Sequence, residues 1–322
     1  MIADQQVDLT TVKDRAKRKL ERDFGAELLA ALSDPRTVEL MLNADGRLWL
    51  ERLGEPMVPI GTMRSAQANA ILETIAGYHG RELTRATPIL ECELPLDNSR
   101  FAGQIPPIVT APCFAIRKKA VAVFTLEQYV ERGIMTAAQH VCLVTAIREH
   151  RNILISGGTG SGKTTLINAL IHAMVQLAPE ERIVIIEDTG ELQCVAQNAV
   201  QYHTTTDVSM TRLLSTTLRM RPDRILVGEV RGPEARDLLM AWNTGHEGGA
   251  ATLHANSTKA ALNRLAMLVS MHPEAPRQIE PLIAEAVHVV VQIARTPGRS
   301  RRITEMLQVN GYSDGQYRTE PL

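Results

Sequence analysis

Ile153-Leu-Ile-Ser-Gly-Gly-Thr-Gly-Ser-Gly-Lys-Thr-Thr165 is the stretch that decides the fold of this 322-residue chain. An apolar, strand-like run, 152–155, leads into it, and a helix-like run, 165–175, leads out of it. Glycines let backbone N–H groups turn inward around a pyrophosphate, and the amino end of a helix adds partial positive charge. The spacing G-x-x-x-x-G-K-[ST] is filled by Gly157, Gly162, Lys163 and Thr164. The stretch therefore predicts a loop that cradles the phosphates of a nucleoside triphosphate.

The residues of this loop have separate predicted roles. Lys163 is expected to reach the β- and γ-phosphates, and Thr164 is expected to offer its hydroxyl to Mg²⁺. The alternative is a surface loop rich in Gly, Ser and Thr before an unrelated helix, which the agreement of loop pattern and flanking elements disfavours. The predicted phosphate-binding residues are Gly157, Gly158, Thr159, Gly160, Ser161, Gly162, Lys163, Thr164 and Thr165.

Composition narrows the class of protein. The formal net charge of −1 gives no global attraction to nucleic acid or to an anionic membrane. Aromatic residues make up 3% of the chain, which leaves few rings to stack on bases, so direct, specific nucleic-acid binding is not expected. No apolar run approaches 18 residues, and the first residues lack the features of a signal peptide, so a cytoplasmic protein is predicted. The four cysteines are isolated and predict neither a zinc site nor a disulfide framework.

The pattern along the chain predicts two domains. Residues 1–120 show an α+β pattern, with a helix at about 8–32, a hairpin at 38–51 and a helix at 65–78. Residues 121–136 are interpreted as a linker. From 137 to 322, strands and helices alternate, which indicates a parallel sheet with helices on both faces. The predicted strands there are 152–156, 182–187, 224–228, 250–254, 286–293 and 303–309, and the predicted helices are 137–150, 163–177, 209–220, 233–243 and 258–270.

The first helix is basic and amphipathic. Such a helix can lie on a membrane surface, which would associate the protein peripherally with a membrane. The interspersed acidic residues favour the alternative, a solvated helix that packs on its own domain, and the two interpretations are compatible.

Two acidic motifs follow the phosphate loop, each at the carboxyl end of a predicted strand, where ligands of open α/β sheets bind. In the first, 182–191, four apolar residues lead to Glu187 and Asp188, with Glu191 one turn further on. Asp188 and Glu191 are predicted to hold Mg²⁺ or its waters, together with Thr164, and Glu187 to orient an attacking water. The alternative is a strand end whose aspartate caps the next turn.

The second acidic motif, 224–231, ends its strand in Gly228-Glu229. Glu229 is the leading candidate for the residue that positions or deprotonates the lytic water, although the sequence does not separate it from Glu187 in this role. The alternative is a solvated carboxylate at a strand end. Because position 228 carries no carboxylate, Mg²⁺ is expected to be held mainly by Thr164 and the nucleotide.

A histidine motif, 244–257, brackets the next predicted strand. His246 and His254 lie eight residues apart, which is not a metal-ligand spacing. In a nucleotide site either histidine can sense the γ-phosphate, and the alternative is a structural histidine at a strand edge.

These motifs, in this order, resemble those of the type II/type IV secretion ATPase superfamily. The shared features are the phosphate loop, the acidic box Ile-Ile-Glu-Asp-Thr-Gly-Glu-Leu at 185–192, the Gly-Glu strand and the histidine box. Residues 94–118 also resemble the basic signature of the family's N-terminal domain. The short N-terminal region and the lack of a four-cysteine zinc insert resemble the conjugative-transfer, TrbB-like branch of P-type type IV secretion. The resemblance implies an α/β fold, with a RecA-like P-loop ATPase domain preceded by a smaller α+β domain.

The resemblance also implies ligands, partners and further site residues. It implies ATP and Mg²⁺ as ligands, a homo-hexameric ring in the cytoplasm, and docking to inner-membrane components of a secretion machine. It places arginines near the phosphates, some of them across a subunit boundary, where a well-placed arginine is worth about 10³ to 10⁵ in rate. For each of them the alternative is an ordinary salt bridge. These arginines are Arg100, Arg117, Arg219, Arg221 and Arg231.

The resulting function is a Mg²⁺-dependent ATPase motor that energises pilus assembly or substrate transfer by a conjugative type IV secretion system. One alternative is a motor for type II secretion or for extension and retraction of a type IV pilus. Another, from a different class, is a DNA-handling RecA-like protein, against which the near-neutral charge and scarce aromatic residues argue. A third is a nucleotide switch without turnover, which two acidic motifs beside one phosphate loop disfavour.

Overall fold

The computed structural model describes residues 2–53, 55–118, 123–205, 207–296 and 300–322, with side chains from residue 12 onward. Contacts between residues divide the chain into two units, Met1–Val121 and Ala122–Leu322. Among the described residues, no helix is both long enough and apolar enough to cross a membrane.

The first unit is an antiparallel sheet with two helices. Its strands lie in the order β3-β2-β1-β6-β5-β4, and each neighbouring pair is antiparallel. The α+β pattern predicted for this region is therefore confirmed. Its elements are α1 (Ile2–Ser33), β1 (Thr37–Leu42), β2 (Arg47–Arg52), β3 (Val58–Thr62), α2 (Ser65–Tyr78), β4 (Ile89–Glu93), β5 (Arg100–Gln104) and β6 (Cys113–Arg117).

Helix α1 is interrupted where the sequence predicted a continuous helix. Gly25 has a φ of 76°, in the left-handed region that glycine adopts without steric cost. Leu20 and Phe24, just before the break, and Leu28, just after it, are buried as their four-residue spacing predicts, whereas Val12 is exposed. The buried stripe of this amphipathic helix therefore begins after Val12.

One basic residue of α1 is engaged inside the first unit. Lys19 Nζ forms an ion pair with Asp23 at 2.8 Å and donates a hydrogen bond to Thr74 Oγ1 of α2 at 2.6 Å. Lys13 lies over the ring of Tyr78, 5.3 Å from its centroid. Helix α1 is thus a helix packed on its own unit, the alternative that its interspersed acidic residues favoured.

The second unit contains an eight-stranded sheet in the order β14-β13-β12-β7-β11-β10-β8-β9. Strands β12, β7, β11, β10, β8 and β9 are parallel, and β13 and β14 extend one edge antiparallel. A short 3-10 turn, Leu218–Met220, precedes β10. The elements are α3 (Leu126–Glu131), α4 (Ala137–Arg148), β7 (Ile153–Ser156), α5 (Lys163–Leu177), β8 (Ile183–Glu187), β9 (Ala199–His203), α6 (Met210–Thr217), β10 (Arg224–Val227), α7 (Glu234–Trp242), β11 (Ala250–Leu253), α8 (Thr258–Ser270), α9 (Ile279–Ala286), β12 (Val289–Arg295), β13 (Arg301–Ser313) and β14 (Gln316–Pro321).

The centre of this sheet is covered on both faces. Every residue of β7, β8, β10 and β11 is buried, as expected of a parallel sheet between two helical layers. Successive residues of β7 enter different cores: Leu154 packs in one, whereas Ile153 and Ile155 pack in the other. The predicted parallel sheet with helices on both faces is confirmed.

The interval 121–136, interpreted from sequence as a linker, contains helix α3. Leu126, Tyr129 and Met135 are buried in the core of the second unit, with Tyr129 only 2% exposed. Residues 123–136 therefore belong to the packed structure of that unit, and residues 121–122 lie outside the described residues. The missed signal is the apolar spacing of these three side chains, which a solvated linker does not need.

A buried polar cluster fixes the amino edge of the sheet. The Arg224 side chain is 1% exposed and forms an ion pair with Glu181 through Nε. Its Nη1 donates to the Gly248 carbonyl at 2.9 Å, and its Nη2 donates to the Ile147 carbonyl at 3.1 Å. Asn152 Oδ1 accepts the Gly248 N–H at 2.8 Å in the same region. These bonds tie four segments together at this edge, while the phosphate loop lies at the opposite edge.

Candidate nucleotide-binding and hydrolysis site

The phosphate loop connects β7 to α5 and has a backbone that glycine alone allows at several points. Gly160 and Gly162 have φ values of 65° and 104°, in the left-handed region. At Gly157 a Cβ atom would lie 2.3 Å from the carbonyl oxygen of Ile293, so a side chain does not fit. The loop therefore keeps its shape because β12 lies directly against it.

Lys163 opens helix α5, and its side chain folds back over the loop. The residue is 8% exposed, and Nζ donates hydrogen bonds to the carbonyls of Gly157 at 3.1 Å and Gly158 at 3.3 Å. Nζ also lies 3.3 Å from Nδ1 of His254. The ammonium group is thus held where the loop would enclose phosphates, with a histidine beside it.

Glu187, at the end of β8, accepts hydrogen bonds from the backbone of the turn that follows it. Its Oε2 accepts the N–H of Glu191 at 2.9 Å and of Leu192 at 3.0 Å, and the residue is 3% exposed. Its Oε1 is buried without a hydrogen bond, although His203 Nε2 lies 3.6 Å away. This carboxylate holds the turn of the acidic box in place.

Glu191 is the acidic-box residue that faces the loop threonine. Thr164 Oγ1 lies 3.4 Å from Glu191 Oε2, close enough for both to meet one Mg²⁺ or its waters. Asn168 of α5 supports this segment, since its Nδ2 donates to the Glu191 carbonyl at 3.3 Å and its Oδ1 accepts the Gln193 N–H at 2.9 Å. Sequence reasoning missed Asn168, and the available signal was a polar residue within an otherwise apolar helix.

Asp188, predicted as a metal ligand, already has partners. Its Oδ1 accepts a hydrogen bond from Thr204 Oγ1 at 2.8 Å, and its Oδ2 lies 3.3 Å from Nη1 of Arg231. Within the described part of the chain, no group of three or more His, Cys, Asp or Glu side chains is arranged to hold a metal ion. Asp188 therefore serves to position Arg231 in this structure, and a cation at the loop would depend on Thr164, Glu191 and phosphate oxygens.

Glu229 follows β10 and is clamped by Arg231. Arg231 Nε and Nη2 lie 2.9 and 2.5 Å from Glu229 Oε2. Burial lowers the pKa of Arg231, but its bonds to Glu229 and the charge of Asp188 outweigh this and raise it. A Cβ at Gly228 would lie 2.9 Å from Glu187 Cβ, which explains why the strand ends in glycine before its glutamate.

His254, directly after β11, connects Glu229 to Lys163. Its Nε2 lies 2.7 Å from Glu229 Oε1, although the ring orientation leaves that oxygen without a well-directed hydrogen bond. Burial and then the charge of Lys163 lower the pKa of His254, and the charge of Glu229 opposes this. The neutral ring therefore lies between a cation and a carboxylate at the mouth of the loop.

The lowered pKa of His254 predicts a pH dependence of stability. The unfolded chain binds a proton at this residue more readily than the folded chain, so stability is complete above the ordinary pKa of 6.5 and decreases as pH falls below it. We expect the melting temperature of His254→Gln to fall less than that of the wild type between pH 7.5 and 5. His288, whose pKa burial also lowers, is common to both proteins and serves as the internal reference. Identical pH profiles would contradict the prediction.

Two groups of predicted residues lie away from the loop. His246 precedes β11, and Arg219 and Arg221 precede β10, so all three lie at the amino edge of the sheet, opposite the loop. Within one chain the structure does not bring them to Lys163, because the start and the end of a strand occupy opposite edges. The structure therefore places only His254 of the two predicted histidines beside Lys163 within one chain, and a role for His246 at a nucleotide stays a prediction.

Arg100 and Arg117 lie in the first unit, where they are directly paired across β5 and β6. Arg117 Nη2 lies 3.7 Å from Glu39 Oε1. The structure thus brings these two predicted arginines together on one sheet, and their approach to phosphates stays a prediction.

The chemistry at the carboxyl edge can be compared with that of known proteins. A family described as "Type II/IV secretion system protein" matches residues 25–314. The chain belongs to this family. The predicted membership is confirmed, and with it the assignment of the chain as a secretion ATPase with an N-terminal domain and a RecA-like ATPase domain.

Individual members of the type II/IV secretion family support the same conclusion. The chain is 47% identical over 306 residues to the "Probable conjugal transfer protein TrbB" of Sinorhizobium fredii, covering 95% of this chain and 93% of that protein. It is 47% identical over 307 residues to the "Conjugal transfer protein TrbB" of Rhizobium radiobacter, covering 95% and 94%. The crystal structure of the VirB11 ATPase from the Brucella suis type IV secretion system, in complex with sulphate, matches with 26% identity and a TM-score of 0.50, covering 91% of this chain and 97% of that one.

Proposed function

We propose that the chain is the Mg²⁺-dependent, homo-hexameric ATPase motor of a conjugative type IV secretion system. The observation that carries this proposal is the contact series Lys163–His254–Glu229 at the mouth of the phosphate loop. It joins the residue that binds the terminal phosphates to the residue that acts on water. The similarity to conjugal transfer proteins over 95% of the chain supports a role of the motor in pilus assembly or substrate transfer.

In the proposed reaction, Lys163 turns from the loop carbonyls to the β- and γ-phosphates of ATP. Glu229 orients the attacking water and accepts its proton, and His254 responds to the γ-phosphate from between these two residues. Thr164 and Glu191 would hold Mg²⁺, which when bound would supply positive charge that stabilises the phosphates during the reaction. Arg231 sets the position of Glu229 and, as the resemblance suggested, can also approach the transferred phosphoryl group.

The ring is proposed because exposed arginines lie at the amino edge of the second unit. Arg219 and Arg221 are exposed, and within the described ranges neither side chain forms a hydrogen bond or an ion pair. A head-to-tail ring places different surfaces of the same chain against each other, so these arginines can complete the site of the next subunit. Arg100 and Arg117 of the first unit are proposed, from the resemblance, to approach the phosphates as well.

The proposed location is the cytoplasmic face of the inner membrane, where the ring would dock on components of the secretion machine. Helix α1 keeps exposed basic residues at Arg15 and Arg18, in addition to those engaged within its own unit. These residues can support peripheral association with an anionic membrane surface, whereas the net charge of −1 argues against direct, specific nucleic-acid binding.

Mixing two inactive variants tests the ring. Lys163→Ala lacks the loop lysine, and the double variant Arg219→Ala/Arg221→Ala lacks the proposed contributions to a neighbour. In an equimolar mixed ring, about a quarter of the interfaces combine an intact loop with intact arginines, so we expect about a quarter of wild-type ATPase activity. Ala substitution of Arg212, an exposed arginine of α6, is the matched control and should leave activity unchanged. Mixtures no more active than the sum of the two variants would contradict action across the interface.

A further inference from the structure

Two arginines that no motif predicted lie against the phosphate loop. Arg295 ends β12 and Arg301 begins β13, and the two are directly opposite each other in the antiparallel register. Arg295 Nε donates to the carbonyl of Gly160 at 2.9 Å. A Cβ added to Gly162 would lie 2.9 Å from Cδ of Arg301. The end of this pair of strands is therefore in contact with both left-handed glycines of the loop.

This pair of arginines has no counter-charge among the described residues. In the ranges that the structure describes, no carboxylate lies within the 4.0 Å of an ion pair from either guanidinium, and Nε of Arg301 is buried without a hydrogen bond. The nearby Tyr129 phenol is neutral, because burial raises its pKa. Like charges directly opposite on neighbouring strands repel each other, and a buried N–H group without a partner is unfavourable. An anion placed between the two guanidinium groups and the loop would reduce the repulsion between the charges and would accept a hydrogen bond from the buried N–H.

The order of the strands indicates which phosphate group of a nucleotide would lie beside this pair of arginines. Glu187 ends β8, and Glu229 and His254 follow β10 and β11; all three strands lie on one side of β7. Strands β12 and β13 lie on the other side of β7. A nucleotide whose γ-phosphate faces the carboxylates and the histidine has its nucleoside end directed away from them, over the end of β12.

We propose that Arg295 and Arg301 bind the α-phosphate of the nucleotide, from the side of the loop opposite the hydrolytic residues. The inference rests on the proposed function and adds to it a set of residues that fix the nucleoside end. Arg301 supplies its buried Nε–H, and Arg295 is held in place by its bond to Gly160. Gly160 and Gly162 are held as glycine by their left-handed φ, and a Cβ at these positions would lie 2.6 Å from Nη2 of Arg295 and 2.9 Å from Cδ of Arg301, so the arginines pack directly on the loop backbone.

Equilibrium binding of ADP to four proteins tests the proposal. Relative to wild type, Arg301→Met is expected to weaken ADP binding about tenfold or more, because a charge-assisted contact to a phosphate is lost. Arg301→Lys retains the positive charge but lacks the Nε–H, so it should bind ADP more weakly than wild type and more tightly than Arg301→Met. The control is Arg302→Met, since Arg302 is exposed and faces Ala294 across the strands, and it should leave ADP binding unchanged.

A purely structural brace predicts a different pattern. If Arg301 only supports the loop, Arg301→Met lowers the melting temperature without nucleotide, and Arg301→Lys weakens ADP binding as much as Arg301→Met does. If it binds the α-phosphate, the melting temperature without nucleotide is unchanged or raised, and the stabilisation by saturating ADP shrinks. Should Arg301→Met not fold, Arg295→Met is measured in its place, with the same expectation for ADP.

The outcomes also separate this inference from the proposed function. A wild-type chain that binds ADP, together with an Arg301→Met variant of equal affinity, overturns only the role of the arginine pair. A wild-type chain without measurable affinity for ADP overturns the proposed ATPase motor itself.

Discussion

Replacing Lys163 with alanine is expected to abolish ATP turnover, with a loss of at least about 10³-fold, or roughly 4 kcal/mol. The residue is 8% exposed, and its Nζ is held over the loop by two backbone carbonyls and beside His254. Alanine removes the positive charge from the place where the β- and γ-phosphates would lie. The helix and the loop glycines remain, so the variant should keep its fold while losing the electrostatic part of phosphate binding.

Two measurements check the Lys163→Ala prediction. The first is Mg²⁺-ATP hydrolysis per subunit across a range of protein concentrations, with Lys259→Ala, an exposed lysine of α8, as the control that should match wild type. The second is conjugative transfer from a strain that lacks the gene and carries either variant, where the control variant should restore transfer and Lys163→Ala should not. Activity above about a tenth of wild type, a loss under roughly 1.4 kcal/mol, would remove Lys163 from this role. Normal conjugative transfer from a strain that lacks the gene would indicate that the motor serves a different secretion machine.

Much of the second unit could be predicted because its signals are local. Strands β7, β8, β10 and β11 of the parallel sheet are short, mostly apolar runs, and each is fully buried in the structure, as a strand covered on both faces must be. Helix α5 extends over Lys163–Leu177, the predicted 163–177, because the loop motif fixes its start. Neighbouring residues and regular spacing decide such elements, so the sequence alone suffices for them.

Other features depend on contacts between distant parts of the chain. Arg295 and Arg301 reach the loop because β12 pairs with β7, a contact across more than a hundred residues that no spacing pattern reveals. His246 and His254 belong to one motif, yet a single strand separates them and places them at opposite edges. Gly25 breaks a helix whose polar and apolar spacing continues across it.

The roles of the two glutamates illustrate the same limit. From sequence, Glu187 and Glu229 are equivalent carboxylates at strand ends. The structure distinguishes them by their partners: Glu187 accepts two backbone N–H groups, whereas Glu229 faces an arginine and a histidine. The hydrogen-bond partners of each carboxylate, and not its position on a strand, decide which of the two can replace a protein contact with a contact to water.

The second large effect is expected for Glu229→Gln, which should retain nucleotide binding and lower turnover by about 10² to 10⁴, the usual contribution of a general base. Glutamine has nearly the same shape but cannot accept a proton from water. The Glu229 side chain is 17% exposed, so water can reach it. Its two oxygens contact the side chains of Arg231 and His254, either of which can give up its contact to a water molecule. Binding of ATP should change by less than about threefold, because Glu229 lies beyond the loop residues that hold the phosphates.

Glu187→Gln is the matched control for Glu229→Gln, since it makes the same substitution at the other candidate glutamate of the site. The amide oxygen of glutamine can still accept the backbone N–H groups of Glu191 and Leu192, so hydrolysis should fall by less than about tenfold, and any loss should appear mainly as lowered thermal stability. Single-turnover hydrolysis and ATP binding are measured for both variants under the same conditions. If Glu187→Gln blocks hydrolysis while Glu229→Gln keeps more than about a tenth of it, the two roles must be exchanged, because the residue nearest the lytic water is then the buried one. Equal losses would indicate that the carboxylates act as a unit, with Glu187 fixing the acidic box against which Glu229 orients the water.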